Sequence, residues 1–214
     1  MKYQDHMKQI LQNKNQFIGL LKETKRENIE KLITFVEKRG FFVSPASAKY
    51  HNAFDGGLCD HSLKVYHLLL AKVEQHKLKE KYPLETIIIA ALCHDLCKLG
   101  LYENKVAWRK DSQDKWENYP GYGYLEQQMP TGHGSQSVIM LQNFIKLTQS
   151  EILAIYWHMG LTTNPNDMIG YSTAANKCEL VTLLHTADLE SSYILEPQGV
   201  QEQLIALPAG VKKK

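Results

Sequence analysis

Six residues able to bind a metal ion occur in the order His61, His94, Asp95, His133, His158 and Asp188, and all but His133 interrupt an apolar helical run. The clearest case is LETIIIAALCHDLCKLG (84–100), where a histidine and an aspartate stand side by side in a segment too apolar to face water. A buried carboxylate is costly unless it neutralises, pairs or coordinates a cation. Asp188 repeats the situation in ELVTLLHTADLE, on one stripe with Val181 and Leu184 at helical spacing. Imidazole nitrogen and carboxylate oxygen together suit divalent iron, manganese, zinc, nickel or cobalt, with magnesium also compatible. Six candidates are too many for a single catalytic ion that must keep positions open for water and substrate. They suit two ions with a carboxylate between them, a pair that can generate hydroxide and clamp both oxygens of an in-line displacement at phosphorus.

Helices must position these residues, since the apolar periodicity is helical nearly throughout. Helices are expected over residues 3–21 and 24–38, the second burying Ile29, Leu32, Ile33 and Val36 and stopping at Gly40. Residues 41–57 read as an irregular link, broken by Pro45 and the Gly56-Gly57 pair. A third helix carries His61 from about Leu58 to His76, and a fourth starts after Pro83 and carries His94, Asp95 and Lys98. Residues 101–132 break the pattern. Their aromatic content, the alternation in KVAWRK and the turn signal YPGYG predict a short β-hairpin or ordered loop. Further helices are expected over about 135–146, from the capping box Thr148-x-x-Glu151 to Gly160, and over about 173–194. The expected fold is therefore all-α, with a hairpin or loop insertion. Residues 1–40 pack on a metal-binding domain spanning 41–196, and 197–214 form a loosely held tail.

The chain of 214 residues has 43% apolar and 22% charged residues and a formal net charge of +2, an ordinary globular composition. Lys212, Lys213 and Lys214 read as a solvated tail rather than a nucleic-acid patch. No apolar run is long enough for a bilayer and the first residues lack a signal-peptide core, so a cytoplasmic protein with no membrane partner is expected. Cys59, Cys93, Cys97 and Cys178 show no framework or zinc spacing and read as reduced core residues.

GGLCDHS, CHDLCK and TAD, in that order, resemble the H…HD…D signature of the HD-domain superfamily of metal-dependent phosphohydrolases, over about residues 50–195. TGHGSQS and YWHMG supply the two further histidines of its dinuclear branch, H…HD…H…H…D. The resemblance implies an HD-type helical bundle in which His61, His94, Asp95 and Asp188 hold one ion. By the same resemblance His133 and His158 would hold a second, with Asp95 bridging. YHNAFDGGLCDHS is also similar to HD proteins with nucleic-acid-related roles, and His51 takes the place of the histidine before their Gly-Gly pair. No separate nucleic-acid-binding domain is read beside it, so nucleic acid is not the favoured partner.

Lys98, one helical turn from His94 and Asp95, would stabilise charge growing on phosphoryl oxygens, and Asp95 would act with it. The plainer reading of Lys98 is a lysine at a helix end reaching for water. His185, one turn before Asp188, reads either as a support for a ligand or as packing. His51, Arg109, Trp116 and Tyr122 are the expected substrate contacts, the last three on an aromatic lid formed by 101–132. The expected function is hydrolysis of a phosphate mono- or diester of a nucleotide or similar small molecule. The alternatives are a di-iron oxygenase of HD fold, similar to inositol oxygenase, and a non-catalytic ligand-binding HD protein.

Overall fold

A computed structural model describes residues 3–125, 132–161 and 165–207. The expected segment 126–131 of the insertion and Lys212–Lys214 lie outside the described residues. The described residues form eight α-helices and one two-stranded antiparallel sheet. In chain order these are α1 (Tyr3–Glu23), α2 (Ile29–Lys38), α3 (Gly57–Gln75), α4 (Leu84–Cys93), β1 (Tyr102–Lys110) and β2 (Trp116–Tyr124). They are followed by α5 (His133–Gln142), α6 (Gln149–Trp157), α7 (Pro165–Lys177) and α8 (Glu179–Glu190). No described helix is long and apolar enough to cross a membrane.

The core is built around α4, whose residues Thr86 to Cys93 are all buried. A helix apolar on every side must be enclosed, and α1, α3 and α6 pack against it. The helix α8 closes the bundle against α3 and α6, while α5 packs on α6 and on the turn after α4. On the outside, α2 lays Ile29, Leu32, Ile33 and Val36 onto the core as expected. Its start is later than Thr24, because Lys25 and Asn28 adopt left-handed backbone in a tight connection. The capping box forms, with Glu151 N–H donating to Thr148 Oγ1 at 3.3 Å and Thr148 N–H donating to Glu151 Oε2 at 2.8 Å. Glu151 is also buried, accepting from Thr86 Oγ1 at 2.9 Å and from Arg26 at 2.5 Å.

Three expectations are corrected. The helix α4 stops at Cys93, so His94 caps its C-terminus and Lys98 lies on a separate 3₁₀ turn, Leu96–Lys98. The predicted helix over 173–194 is two helices, because Cys178 is extended (φ −147°) and ends α7 before α8 begins. Residues 197–207 are not a loose tail: Leu204 and Ile205 are buried, Val200 bridges Ala53, and Ala206 N–H donates to Asp55 at 2.7 Å.

Gly134 shows why a glycine stands beside His133. A Cβ there would lie 2.1 Å from the carbonyl oxygen of Tyr156 and 2.5 Å from that of Ile155. Both are backbone atoms that cannot swing aside, so α5 approaches α6 only without a side chain at this position. Gly134→Ala is expected to cost about 1–3 kcal/mol by overpacking, a fall in Tm of roughly 2–12 °C for a chain of this size. Calorimetry reads it directly, and an unchanged Tm would mean the helices are free to separate.

Candidate metal centre

Two histidines reach the site by the same local device. His94 and His158 are the C-cap residues of α4 and α6. Each turns its Nδ1–H back onto a carbonyl three residues earlier, His94 to Ala91 at 2.8 Å and His158 to Ile155 at 2.7 Å. These carbonyls belong to the last helical turn and lack helical partners, so the ring satisfies one and is fixed by it. A carbonyl only accepts, so Nδ1 carries the proton and the neutral ring keeps its Nε2 lone pair for the interior. His61, on α3, donates Nδ1–H to Glu196 Oε1 at 2.7 Å and presents Nε2 in the same way.

The three Nε2 atoms meet two carboxylates. His61 Nε2 lies 3.2 Å from His94 Nε2, 3.3 Å from Asp188 Oδ1 and 3.6 Å from Asp95 Oδ2. His94 Nε2 is 3.4 Å from Asp95 Oδ2, and His158 Nε2 is 3.6 Å from Asp95 Oδ1. Asp95 Oδ1 and His158 Nε2 are buried with no hydrogen-bond partner. Orphaned atoms of this kind are expensive unless something else occupies them. Lys98 Nζ reaches Asp95 Oδ2 at 2.7 Å.

Electrostatics point the same way. Burial works against the charge of Asp95, but Lys98 and His94 beside it hold its carboxyl well below the usual range. Asp188 and Glu196 are likewise depressed against burial, Asp188 by His61 and His94, and Glu196 by His61 and His51. Burial favours the neutral ring of His61, yet Glu196 and Asp188 raise its pKa to about 10. Burial is also overcome at His158, raised by Asp95, and at Lys98, raised by the same carboxylate. Three carboxylates, Asp95, Asp188 and Glu196, thus favour positive charge on the rings and the ammonium around them. A dication could take the place of those ring protons, and the buried His61–His94–Asp95 group and the His94–His158–Asp188 group are compact enough to hold metal ions.

The structure thus brings together His61, His94, Asp95, His158 and Asp188. His133 stands at the edge, with Nδ1 at 3.4 Å from Cys97 Sγ, and groups with Asp95 and Cys97 rather than with His158. Burial lowers its pKa. A cavity of about 240 Å³ opens over Asp95, His158 and Asp188, and Lys98, His51 and His185 line it. His185 donates Nδ1–H to the His158 carbonyl at 2.7 Å, and so braces a neighbour of the cluster.

The other expected contacts fall elsewhere. Arg109, Trp116 and Tyr122 do not line this cavity. Trp116 is 66% exposed and pairs with Lys110 at the end of the hairpin remote from Tyr102. Eight residues of strand separate that end from Tyr102, a length of roughly 26 Å. Arg109 is held by Glu117 at 2.7 Å and Glu202 at 2.6 Å. Tyr122 is buried and donates to Asp55 at 2.8 Å, packing with Ala48 and Ile205. Of the aromatics that suggested a lid, Tyr122 fastens the hairpin to the body and Trp116 is exposed at its far end, whereas Tyr102 lies near enough to Lys98 and Asp95 to feel their charges.

Glu196 is the residue that sequence reasoning missed. It is fully surrounded, accepting from His61, from His51 at 2.6 Å and from Ser191 Oγ. A wide turn over Ser191–Leu195, closed by Glu196 N–H on the Ser191 carbonyl, swings this carboxylate back to the cluster. Turns of this i→i+5 kind recur at functional sites. Glu196→Gln keeps the size but removes the charge that orients His61. Removing such a support typically costs 10- to 100-fold in metal affinity, and we expect about that loss in a chelator competition. Unchanged affinity would reduce Glu196 to packing.

Comparison of the chain with family models, curated proteins and solved structures finds no match.

Proposed function

We propose that this chain is a metal-dependent phosphohydrolase of the HD type, cleaving a phosphate ester of a nucleotide-like small molecule. One observation carries the reading: three imidazole Nε2 atoms and the carboxylates of Asp95 and Asp188 converge, partly unsatisfied, where a cavity holds the ammonium of Lys98. The order of these residues along the chain is the order of the HD signature. His61, His94, Asp95 and Asp188 would hold one divalent ion, and His158 and His133, each near Asp95, would serve a second. Such ions supply Lewis-acid polarisation of a phosphoryl oxygen and lower the pKa of bound water.

The chain's own residues do the rest. Nδ1 donation to Ala91, Ile155 and Glu196 keeps the rings from rotating and fixes which nitrogen faces inward. Lys98 cannot leave the cavity without abandoning Asp95, so its charge is positioned before a phosphoryl group arrives. That is the preorganisation that makes a cation effective against developing negative charge.

Reaction class is testable with one comparison. Under strict anaerobiosis with Mn²⁺, the protein should release phosphate or a phosphomonoester from a panel of aryl phosphates and phosphodiesters as fast as in air. An absolute requirement for iron and oxygen would transfer the chain to the oxygenase reading. Metal binding without turnover of any ester would leave a ligand-binding protein.

A further inference from the structure

The cavity over the metal-binding cluster has two unlike zones. Its floor is polar, formed by Asp95, His158, Asp188 and Lys98, and Lys98 is the one lysine or arginine among the described residues lining it. Its mouth is apolar: Tyr50, Met159, Leu189 and Tyr193 line it, and the two tyrosines are 70% and 76% exposed. Single exposed apolar side chains are ordinary on any surface, whereas several gathered on the rim of one cavity mark a place where something binds. Tyr193 owes its position to the wide turn after α8. Ser192 Oγ donates to Asp188 at 3.3 Å, which fixes the start of that turn against the site and leaves the next side chain at the mouth.

Charge and size limit what fits. A phosphate monoester brings about two negative charges at neutral pH. The proposed metal centre and Lys98 can match these, but a second or third phosphate would meet Asp95 and Asp188 with no further lysine or arginine among the described lining residues. A volume of about 240 Å³ is below the range of roughly 300–1,000 Å³ usual for a whole organic ligand. Only the phosphoryl end and its nearest atoms are enclosed, and the rest of the molecule emerges between apolar side chains.

We infer, building on the phosphohydrolase reading, that the substrate carries a single phosphoryl group on an aromatic or heteroaromatic moiety, and that Tyr50 and Tyr193 select it by gripping that flat group at the mouth. Tyrosine rings stack on any flat π face, so the grip is tolerant of the ring's identity. The phosphoryl group is chosen by charge at the floor and its carrier by shape at the rim.

Calorimetric titration with two phosphonates, whose C–P bond resists hydrolysis, tests the grip, with Mn²⁺ kept in excess over every ligand. Wild-type protein should bind 1-naphthylmethylphosphonate about tenfold or more tighter than ethylphosphonate. Tyr193→Ala, and more fully Tyr50→Ala with Tyr193→Ala, should remove most of that difference, weakening 1-naphthylmethylphosphonate far more than ethylphosphonate. A nucleoside triphosphate should bind no tighter than the corresponding monophosphate. Equal affinity of the wild type for both phosphonates, or a triphosphate bound more than tenfold tighter than the monophosphate, overturns the inference. A tyrosine variant that alters the sedimentation coefficient but not ligand selectivity also overturns it, since the rim would then face a second copy of the chain. The two readings fail separately. Aromatic selectivity without turnover of any ester removes the hydrolase and keeps the grip, while turnover with no aromatic preference removes only the grip.

Discussion

Asp95→Ala should leave the protein without bound metal and reduce ester turnover about a thousandfold or more. Asp95 lies at the middle of the centre: His61, His94, His158 and Lys98 are all within 3.6 Å of one of its oxygens. Its removal also deprives Lys98, whose side chain is only 11% exposed, of the carboxylate it is bonded to. Breaking a buried pair from one side costs about 3–5 kcal/mol, so Tm should fall by roughly 6–20 °C while helical circular dichroism at low temperature persists. Elemental analysis of protein purified without chelator gives the ion count per chain, and the same measurement on the variant should approach zero. Wild-type metal content together with wild-type turnover in Asp95→Ala would refute the centre as described.

Lys98→Met separates chemistry from metal binding. Methionine retains the apolar stem of the side chain and deletes the ammonium beside Asp95 Oδ2. Loss of a single preorganised charge or donor aimed at a transition state costs about 10²–10³ in kcat. The variant should therefore lose turnover by that factor, with metal content retained and KM changed much less. A lysine merely reaching from a helix end to solvent would give unchanged kcat. Equal losses in metal content and activity would instead make Lys98 a part of the metal-holding framework.

Much of the arrangement could be read before any coordinates, and the failures have particular causes. Thr148 and Glu151 announced the start of α6 because a capping box is a local device, written within four residues. The burial of Glu151 against Arg26 and Thr86 was not legible, since those partners lie 125 and 65 residues away. The end of α4 was overrun because Leu96 and Leu99 continue the apolar pattern through a 3₁₀ turn, and no glycine or proline intervenes at His94. Cys178 hid the break between α7 and α8 for the same reason: an extended cysteine carries no turn signature. His94, Asp95 and Asp188 were visible as polar residues inside apolar runs. Glu196 was not, because in ILEPQG it reads as an ordinary glutamate before a turn, and only the wide turn after α8 brings it inward. The hairpin was foreseen from alternation, but its aromatics were assigned to a lid. Pairing register decides that point, placing Trp116 opposite Lys110 and Tyr122 opposite Asn104 beside Asp55.

The return of the chain through Glu196 has a consequence for how the protein comes into being. His61 and the carboxylate that orients it are 135 residues apart. At synthesis rates of about 5–20 residues per second, roughly 7–27 s pass between the two leaving the ribosome's catalytic centre. Asn52 N–H is bonded to the Pro197 carbonyl at 3.1 Å and Val200 bridges Ala53, so the loop before α3 also waits for the last segment. During that interval His61 and His51 lack the carboxylate that fixes their rings, whereas His94 and His158 carry their own anchors on carbonyls three residues back. The proposed centre would be complete only when the final stretch docks and fixes His61. Any ion the centre takes would then come from the surroundings of the finished chain rather than of the nascent one.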